Sequence, residues 1–357
     1  MTKRLWAGLD VGVESTRICV IDDAGEVLHE ACCPTQLKNV RGELSCLKRR
    51  RHAKVGLEAG TGTSIARGLR SLGYSVDLYE TRKLSKFLRV RRNKTDAGDA
   101  RGIAEAGRIG ASLVSKVHLK SLECQALQSR LTIRRHLIRE RVAAVTLLGR
   151  QIELFGGRMG RCRSASELHT KAEAEIKKLF GTSSSALRSD LYLLLDHCEQ
   201  LIAIQHETDR LLKRLALTDE LSRRLMQIPG VGPICALTFY ATIGEPHRFL
   251  RSSDIGPYLG LTPKLYQSGL ALKSGRVSRM GNAALRGLLG HASLLYMKFG
   301  NPESELRHWA SRIEQRRGRG KARVALARKL AVIMLTMWKT GENYKEITRD
   351  SAPAHAE

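Results

Sequence analysis

Apolar residues come in short runs broken by turns over the first third of the chain, and at helical spacing over most of the rest. Leu5-Trp6-Ala7-Gly8-Leu9-Asp10 predicts a strand that ends on an acid. Arg17-Ile18-Cys19-Val20-Ile21 predicts a second strand, and Glu26-Val27-Leu28-His29 a third after the turn Asp23-Ala24-Gly25. Three strands joined by tight turns predict an antiparallel meander. Lys54-Val55-Gly56-Leu57-Glu58 is a further apolar run ending on an acid. Residues 64–72 are expected to be helical and Ser75-Val76-Asp77-Leu78-Tyr79 extended. A mixed sheet flanked by helices results, which is the plan of the ribonuclease-H-like α/β fold.

From about residue 119 the pattern becomes long, polar and leucine-punctuated. Cys124, Leu127, Leu131, Ile138, Val142 and Val145 form one stripe. After a break at Gly156-Gly157-Arg158-Met159-Gly160 another helix runs to about Phe180. Then Leu191, Leu194, Cys198, Leu201, Gln205, Thr208, Leu212 and Leu215 alternate steps of three and four, a heptad seam with two polar interruptions. Such helices pair as a hairpin within one chain or across a dimer, and the pattern fits both. Near residue 220 a third part begins. Ile228-Pro229-Gly230-Val231-Gly232-Pro233 lies between two helical stretches, the form of a helix-hairpin-helix. Its glycines let backbone approach a phosphate, and the N–H groups opening the second helix bind it without reading sequence. A plain glycine turn between packed helices is the competing explanation. A Gly/Ser-rich basic segment over 263–281 and further helices to about Gly341 complete a mostly α C-terminal part. The expected division is therefore an α/β domain at 1–112, a helical coiled-coil region at 113–218, a C-terminal domain at 219–342 and a disordered tail at 343–357.

Charge sharpens this picture. The 357 residues carry a formal net charge of +26, so a polyanion is the expected partner, steered in by the field and favoured by counterion release. No apolar run approaches membrane-spanning length, and Met1-Thr2-Lys3-Arg4 leads directly toward a strand, so no membrane association is expected. The eight cysteines include no CxxC pair, which points to reduced thiols rather than a zinc site.

Four acids stand at element ends: Asp10, Glu58, and the pair Asp96 and Asp99 in Asn93-Lys94-Thr95-Asp96-Ala97-Gly98-Asp99-Ala100-Arg101. Acids three apart where a helix begins share one side of it. Each has an ordinary explanation alone, as a turn cap, a surface strand end or a favourable charge on a helix dipole. Together they are the donor set that two Mg²⁺ ions (or Mn²⁺) use for in-line attack on a phosphodiester. Arg91, Arg92, Lys94 and Arg101, with Arg82, Lys83, Lys86 and Arg89, surround the Asp96/Asp99 pair as a phosphate track. Ser268, before Gly269, is on chemistry alone an ordinary turn serine; as a nucleophile its phosphate adduct would be held by Lys273, Arg276 or Arg279. Asp10-Val11-Gly12 and Glu58-Ala59-Gly60-Thr61-Gly62-Thr63 also resemble the phosphate loops of sugar kinases and actin-like ATPases. The short gap between them, the basic charge and the helix-hairpin-helix argue against that assignment.

At these residues the chain resembles the DEDD transposases of the insertion-sequence one-ten family over almost its whole length. The match rests on Asp10 in Ala7-Gly8-Leu9-Asp10, on Glu58 in Leu57-Glu58-Ala59-Gly60-Thr61-Gly62 and on the Asp96/Asp99 block. It continues through Ile228-Pro229-Gly230-Val231-Gly232, Gly260-Leu261-Thr262-Pro263 and Tyr266-Gln267-Ser268-Gly269. Relatives more often read Ala-Thr-Gly after the glutamate, a departure that leaves the carboxylate in place. The resemblance implies a RuvC-like first domain and catalysis by Asp10, Glu58, Asp96, Asp99 and Ser268. It implies a covalent phosphoserine–DNA intermediate, strand exchange between donor and target duplexes, and a homo-oligomer, dimer or tetramer. It also implies, for some members, a structured noncoding guide RNA. The expected location is the bacterial cytoplasm, at the nucleoid. A Holliday-junction resolvase using the same acids without Ser268, and a non-catalytic nucleic-acid binder, are the competing functions.

Overall fold

The computed structural model describes residues 4–47, 53–89, 95–110, 114–162, 164–181, 185–268 and 271–346. They fall into two compact units, Met1–Leu119 and Lys120–Glu357.

The first unit is built on one sheet. Strands β1 (Leu5–Val11), β2 (Ser15–Ile21) and β3 (Val27–Pro34) form the expected antiparallel meander. Helix α1 (Leu37–Glu43) leads to β4 (Ala53–Glu58), which pairs parallel to β1. Helix α2 (Thr63–Ser71) returns to β5 (Val76–Tyr79), parallel to β4. After α3 (Thr81–Leu88) and α4 (Asp96–Ile109), the short strand β6 (Lys116–Val117) closes the edge, giving the order β3-β2-β1-β4-β5-β6. Strand alternation sorts the two faces. Leu5, Ala7, Leu9 and Val11 of β1 join Val55 and Leu57 of β4 in a core with Ile65, Ala66 and Leu69 of α2. Trp6 turns the other way, packing with Cys19, Ile21 and Ala100 and Ala104 of α4. Gly8 and Asp10 share the side of Trp6.

The second unit is helical apart from one hairpin. Helices α5 (Leu122–Leu154) and α7 (Ala186–Thr218), each 33 residues long, pack antiparallel within the chain, with α6 (Ala165–Phe180) against their far end. At the near end Leu127 and Leu131 of α5 meet Leu212 and Ala216 of α7, and both reach Leu237 and Ala241 of a later helix. The helical middle and the C-terminal helices therefore share a core, with no break near residue 218. Burial in α7 follows Leu191, Leu195, Cys198, Leu201, Ile202, Gln205, Leu212 and Ala216, and Asp209 in the same seam pairs with Arg134 of α5. In α5 the buried stripe passes from Leu131 to Ala144, Leu148 and Ile152, leaving Val142, expected inside, 50% exposed.

Helices α8 (Glu220–Leu225) and α9 (Pro233–Ile243) flank the glycine turn, followed by the one-turn α10 (Ile255–Tyr258). Strands β7 (Pro263–Ser268) and β8 (Ala271–Val277) form an antiparallel hairpin where only a basic, glycine-rich segment was expected. Helices α11 (Ala283–Phe299), α12 (Glu305–Arg317) and α13 (Arg319–Thr340) complete the unit around a core that includes Phe239, Leu289, Tyr296 and Met334. The tail expected to be disordered from 343 is fixed at its start. The Tyr344 hydroxyl lies 2.9 Å from that of buried Tyr296, its backbone N–H donates to Gln227 (2.9 Å), and Tyr296 donates to Glu346 (2.9 Å). Residues 347–357 lie outside the described residues. Among the described residues no helix is long and apolar enough to cross a membrane.

Lys120, the first residue of this unit, donates to the Ala241 carbonyl (2.6 Å) and to Gln128 (2.9 Å). Burial pushes its ammonium down to about 8, with Arg248 adding to the shift and Cys124 opposing it. Between pH 8 and the ordinary lysine range the unfolded chain holds the extra proton, so this group's burden on the fold lifts as pH rises. Wild type is therefore expected to gain stability relative to Lys120→Met from pH 7.5 to 10 in urea titrations, since only wild type carries that term.

Candidate active site

β1 and β4 lie side by side with Gly8 opposite Gly56 and Leu9 opposite Leu57. Asp10 and Glu58 are thus neighbours at the carboxyl ends of two parallel strands, both half-buried and both on the face of the two glycines. The glycines are what admits α4. A Cβ on Gly8 would stand 2.1 Å from the Ala100 carbonyl oxygen and 2.3 Å from the Ala104 nitrogen, and one on Gly56 3.3 Å from the Ile103 side chain. Further along the helix Gly107 faces Trp6. Hence α4 runs antiparallel to β1, and its N-terminus lies at the end of the strand that carries Asp10.

That N-terminus bears Asp96 and Asp99 in its first turn. Thr95 caps it, its hydroxyl accepting from Gly98 N–H (3.1 Å) and its carbonyl from Asp99 N–H (2.8 Å). Asp96 is exposed and Asp99 half-buried. The loops beside the strand ends are tied down. Thr61 donates to the Val11 carbonyl (2.9 Å), Thr81 to the Ala59 carbonyl (2.9 Å), and Ala59 N–H to Tyr79 (2.9 Å). Four carboxylates therefore gather at one end of the sheet by register and helix direction. Hard oxygen donors without sulfur or imidazole suit Mg²⁺ or Mn²⁺. Among the described residues, however, no three His, Cys, Asp or Glu side chains stand close enough to hold one ion. Sequence reasoning located the acids but missed Gly8, Gly56, Thr61 and Thr81, which put them there; glycines in the middle of two apolar runs were the available signal.

Of the expected phosphate contacts near the acids, Arg101 is exposed one position past Ala100, and Arg82, Lys83, Lys86 and Arg89 are exposed on or beside α3. Arg91, Arg92 and Lys94 lie outside the described residues.

In the second unit Ser268 ends β7 and pairs with Ala271, while Lys273 pairs with Tyr266. The side chains of Ser268, Ala271 and Lys273 lie outside the described residues, as do Gly269 and Leu270. Arg276 and Arg279 are exposed. The hairpin rises from a tight crossing of two chain segments. A Cβ on Gly260 would meet the Met280 carbonyl oxygen at 2.3 Å, and one on Gly281 that of Tyr258 at 2.3 Å. Both glycines have positive φ, and Arg279 joins them at φ 56°. Arg286, unmarked in the sequence, clasps the crossing by donating to the carbonyls of Leu259 (3.2 Å), Met280 (2.5 Å) and Gly281 (3.1 Å). Burial lowers its pKa, with Arg279 adding to the shift.

Gly230, half-buried, is explained by its close packing against α11. It has φ 85°, and a Cβ there would lie 2.5 Å from the Ala292 carbonyl oxygen in α11. Gly232, at the N-terminus of α9, has nothing within 4 Å of its Cβ position and stands open.

Comparisons with known proteins agree with this layout. A family model for DEDD transposases of the IS110 type matches residues 7–154, which hold all four acids. A second, for the transposase IS116/IS110/IS902 family, matches residues 222–308, from α8 through the hairpin to α12. The transposase for insertion sequence element IS1111A of Coxiella burnetii is 29% identical over 342 residues, covering 95% of this chain and 90% of the relative. The transposase for insertion sequence element IS1328 of Yersinia enterocolitica is 30% identical over 283 residues, covering 78% of this chain and 81% of the relative. IS110 is the one-ten family that the motifs resemble, and the chain belongs to it as a DEDD transposase.

Proposed function

We propose that the first unit is a ribonuclease-H-like, RuvC-like domain whose four acids bind divalent metal, and that the chain moves an insertion element by cutting and rejoining DNA through Ser268. The observation that carries this reading is the shared face of Gly8, Asp10, Gly56 and Glu58, with α4 running antiparallel to β1 so that Asp96 and Asp99 arrive at the same end. The strand order β3-β2-β1-β4-β5 supports the fold assignment.

Asp10, Glu58, Asp96 and Asp99 would hold Mg²⁺ or Mn²⁺. Bound there, such ions supply Lewis acidity at a phosphate and neutralise charge on a leaving oxygen. The acids themselves fix where the scissile phosphate sits. The Ser268 oxygen then attacks phosphorus; its proton departs, an O–P bond forms, and the bond from phosphorus to one deoxyribose oxygen breaks. The freed oxygen takes up a proton. A hydroxyl from the exchanged strand reverses these steps, releasing Ser268 and joining the new strands. Arg276, Arg279 and Lys273 on or beside β8 would neutralise phosphate at the hairpin, and Arg91, Arg92, Lys94 and Arg101 would track it toward the acids.

Two duplexes must be held at once, so the protein would act as a dimer or tetramer. Half-exposed apolar residues along the α5–α7 coiled coil, such as Ile133 and Val142, support a helical contact between copies. A structured noncoding RNA would supply target sequence by base pairing, leaving backbone and shape to the protein, a division that the +26 charge supports. Helices α8 and α9 would serve as a helix-hairpin-helix, with the open Gly232 end toward a phosphate. The site of action would be the bacterial nucleoid.

The test is a denaturing gel of protein, element-end RNA and labelled junction-spanning DNA with Mg²⁺, comparing wild type with Ser268→Ala. A protein–DNA adduct present in wild type and lost in the variant is expected. Free cleaved DNA in both samples would mean hydrolysis by a resolvase-like nuclease and would overturn the role of Ser268.

A further inference from the structure

The last two helices carry an exposed cationic elbow and, apart from it, a groove with an indole in its lining, for which strand cleavage has no use. α12 and α13 meet at Gly318, and Arg312, Arg316, Arg317, Arg319, Lys321 and Arg323 around that elbow are all exposed. Glu314 is the sole acid between Leu306 and Gly341 in the sequence. Among the described residues no ion pair ties any of these six cations to a carboxylate. Away from the elbow, the first part of α12, the last part of α13 and the coil after α13 form a groove of about 520 Å³, and of the six cations only Arg312 lines it. Half-buried Leu306, Trp309, Val332 and Ile333 give it an apolar lining; exposed Arg312 and Lys329 are its cations beside the carboxylate of Glu305, while Lys345 on the same lining pairs with Glu342 (3.9 Å). Its third wall is anchored rather than loose, because Tyr344 is held by Tyr296 and Gln227.

A duplex hides the faces of its bases, so phosphate cations alone would serve it. An indole in a preformed groove, with two cations on the same lining, matches instead a nucleotide whose base is out of the stack. The base lies against Trp309 while the flanking phosphates meet Arg312 and Lys329. Glu305, Thr336 and Asn343 on the same lining offer acceptors and donors to a base edge. The identity of the strand as DNA rests on the proposed function, in which DNA strands are unpaired while they are exchanged. We propose that the α12–α13 groove binds an unpaired nucleotide of single-stranded DNA, with Trp309 as its stacking platform.

The experiment uses the full chain and fluorescence anisotropy with labelled oligo(dT), of about 15 nucleotides to exceed a typical single-strand site. A duplex and an oligo(U) of the same length serve as comparisons. Trp309→Ala is expected to weaken oligo(dT) binding about ten-fold, the usual scale for one stacked base, and duplex binding by less than about two-fold. Arg312→Glu with Lys329→Glu is expected to weaken oligo(dT) similarly and to lower the salt slope by about two, which the tryptophan variant leaves alone. Trp309 packs on the core, so Trp309→Phe, which keeps an aromatic face, should retain most binding. Should Trp309→Ala fail to fold, the exposed charge pair decides. Equal losses on duplex and single strand, a loss confined to oligo(U), or no loss at all would each overturn the proposal. Ser268→Ala should bind oligo(dT) like wild type, so failure of the nucleophile assignment and failure of this groove are separate results.

Discussion

Asp10→Asn is expected to lower Mg²⁺-dependent strand cleavage by about a thousand-fold or more, a loss near 4 kcal/mol of transition-state stabilisation. Asparagine keeps the size and shape of the side chain and removes the negative charge that would hold a cation at the strand end. The melting midpoint should therefore move by only a few degrees, and cleavage of labelled junction DNA, followed over time on a denaturing gel, should be almost absent. Glu58→Gln should behave alike, because β4 presents it at the neighbouring register on the same face. Asp96→Asn and Asp99→Asn should lose activity and also a little stability, about 0.3–1 kcal/mol each, since acids in the first turn of α4 favour its dipole. Normal cleavage by Asp10→Asn would mean that the acids at this end of the sheet are structural.

Gly8→Ala should damage the fold and the activity together. The new methyl carbon would stand 2.1 Å from the Ala100 carbonyl oxygen and 2.3 Å from the Ala104 nitrogen, both backbone atoms of α4 that no rotamer change can move. The helix must lift from the sheet, so the cost is expected at or beyond the upper end of ordinary overpacking, about 3 kcal/mol or more. Lifting α4 also displaces Asp96 and Asp99 from the strand ends. Gly42→Ala in α1 is the control: nothing lies within 4 Å of its Cβ position, and alanine there should be neutral or stabilise by up to about 1 kcal/mol. Urea midpoints of both variants measure the difference. A midpoint for Gly8→Ala equal to that of wild type would remove the close approach of α4 from the account of the site.

Much of the first unit was legible in the sequence because its strands are short, alternate and end at turns. The meander of β1 to β3, the strand ending at Glu58 and the helix opening at Asp96 all stand where the pattern puts them. The acids were legible as strand-end and helix-start residues. That Asp10 and Glu58 share a face with Gly8 and Gly56 depends on pairing between β1 and β4, which local pattern does not carry. The β7–β8 hairpin was not legible for a different reason. Lys264, Tyr266 and Gln267 are all exposed, so among the described side chains of β7 no buried residue alternates with an exposed one. In α5 the buried stripe drifts because 3.6 residues per turn does not keep a fixed repeat over 33 residues, which carries Val142 outward. The first residues of the tail, 343–346, are held through two tyrosine hydroxyls, a long-range contact between Tyr296 and Tyr344 that composition cannot reveal.

The antiparallel pair α5 and α7 has a metric consequence. At 1.5 Å per residue, 33 residues give each helix a length of about 50 Å. Buried seams and the Arg134–Asp209 pair fix their register, and α6 braces the far end, so the pair cannot telescope. Whatever the loop at 155–164 touches is then held about 50 Å along the arm from the core around α9. On a duplex, with 3.4 Å between successive base pairs, that span corresponds to about fifteen base pairs. Removing one heptad from each helix would shorten the ruler by about 10 Å, or three base pairs, without changing a single residue at either end.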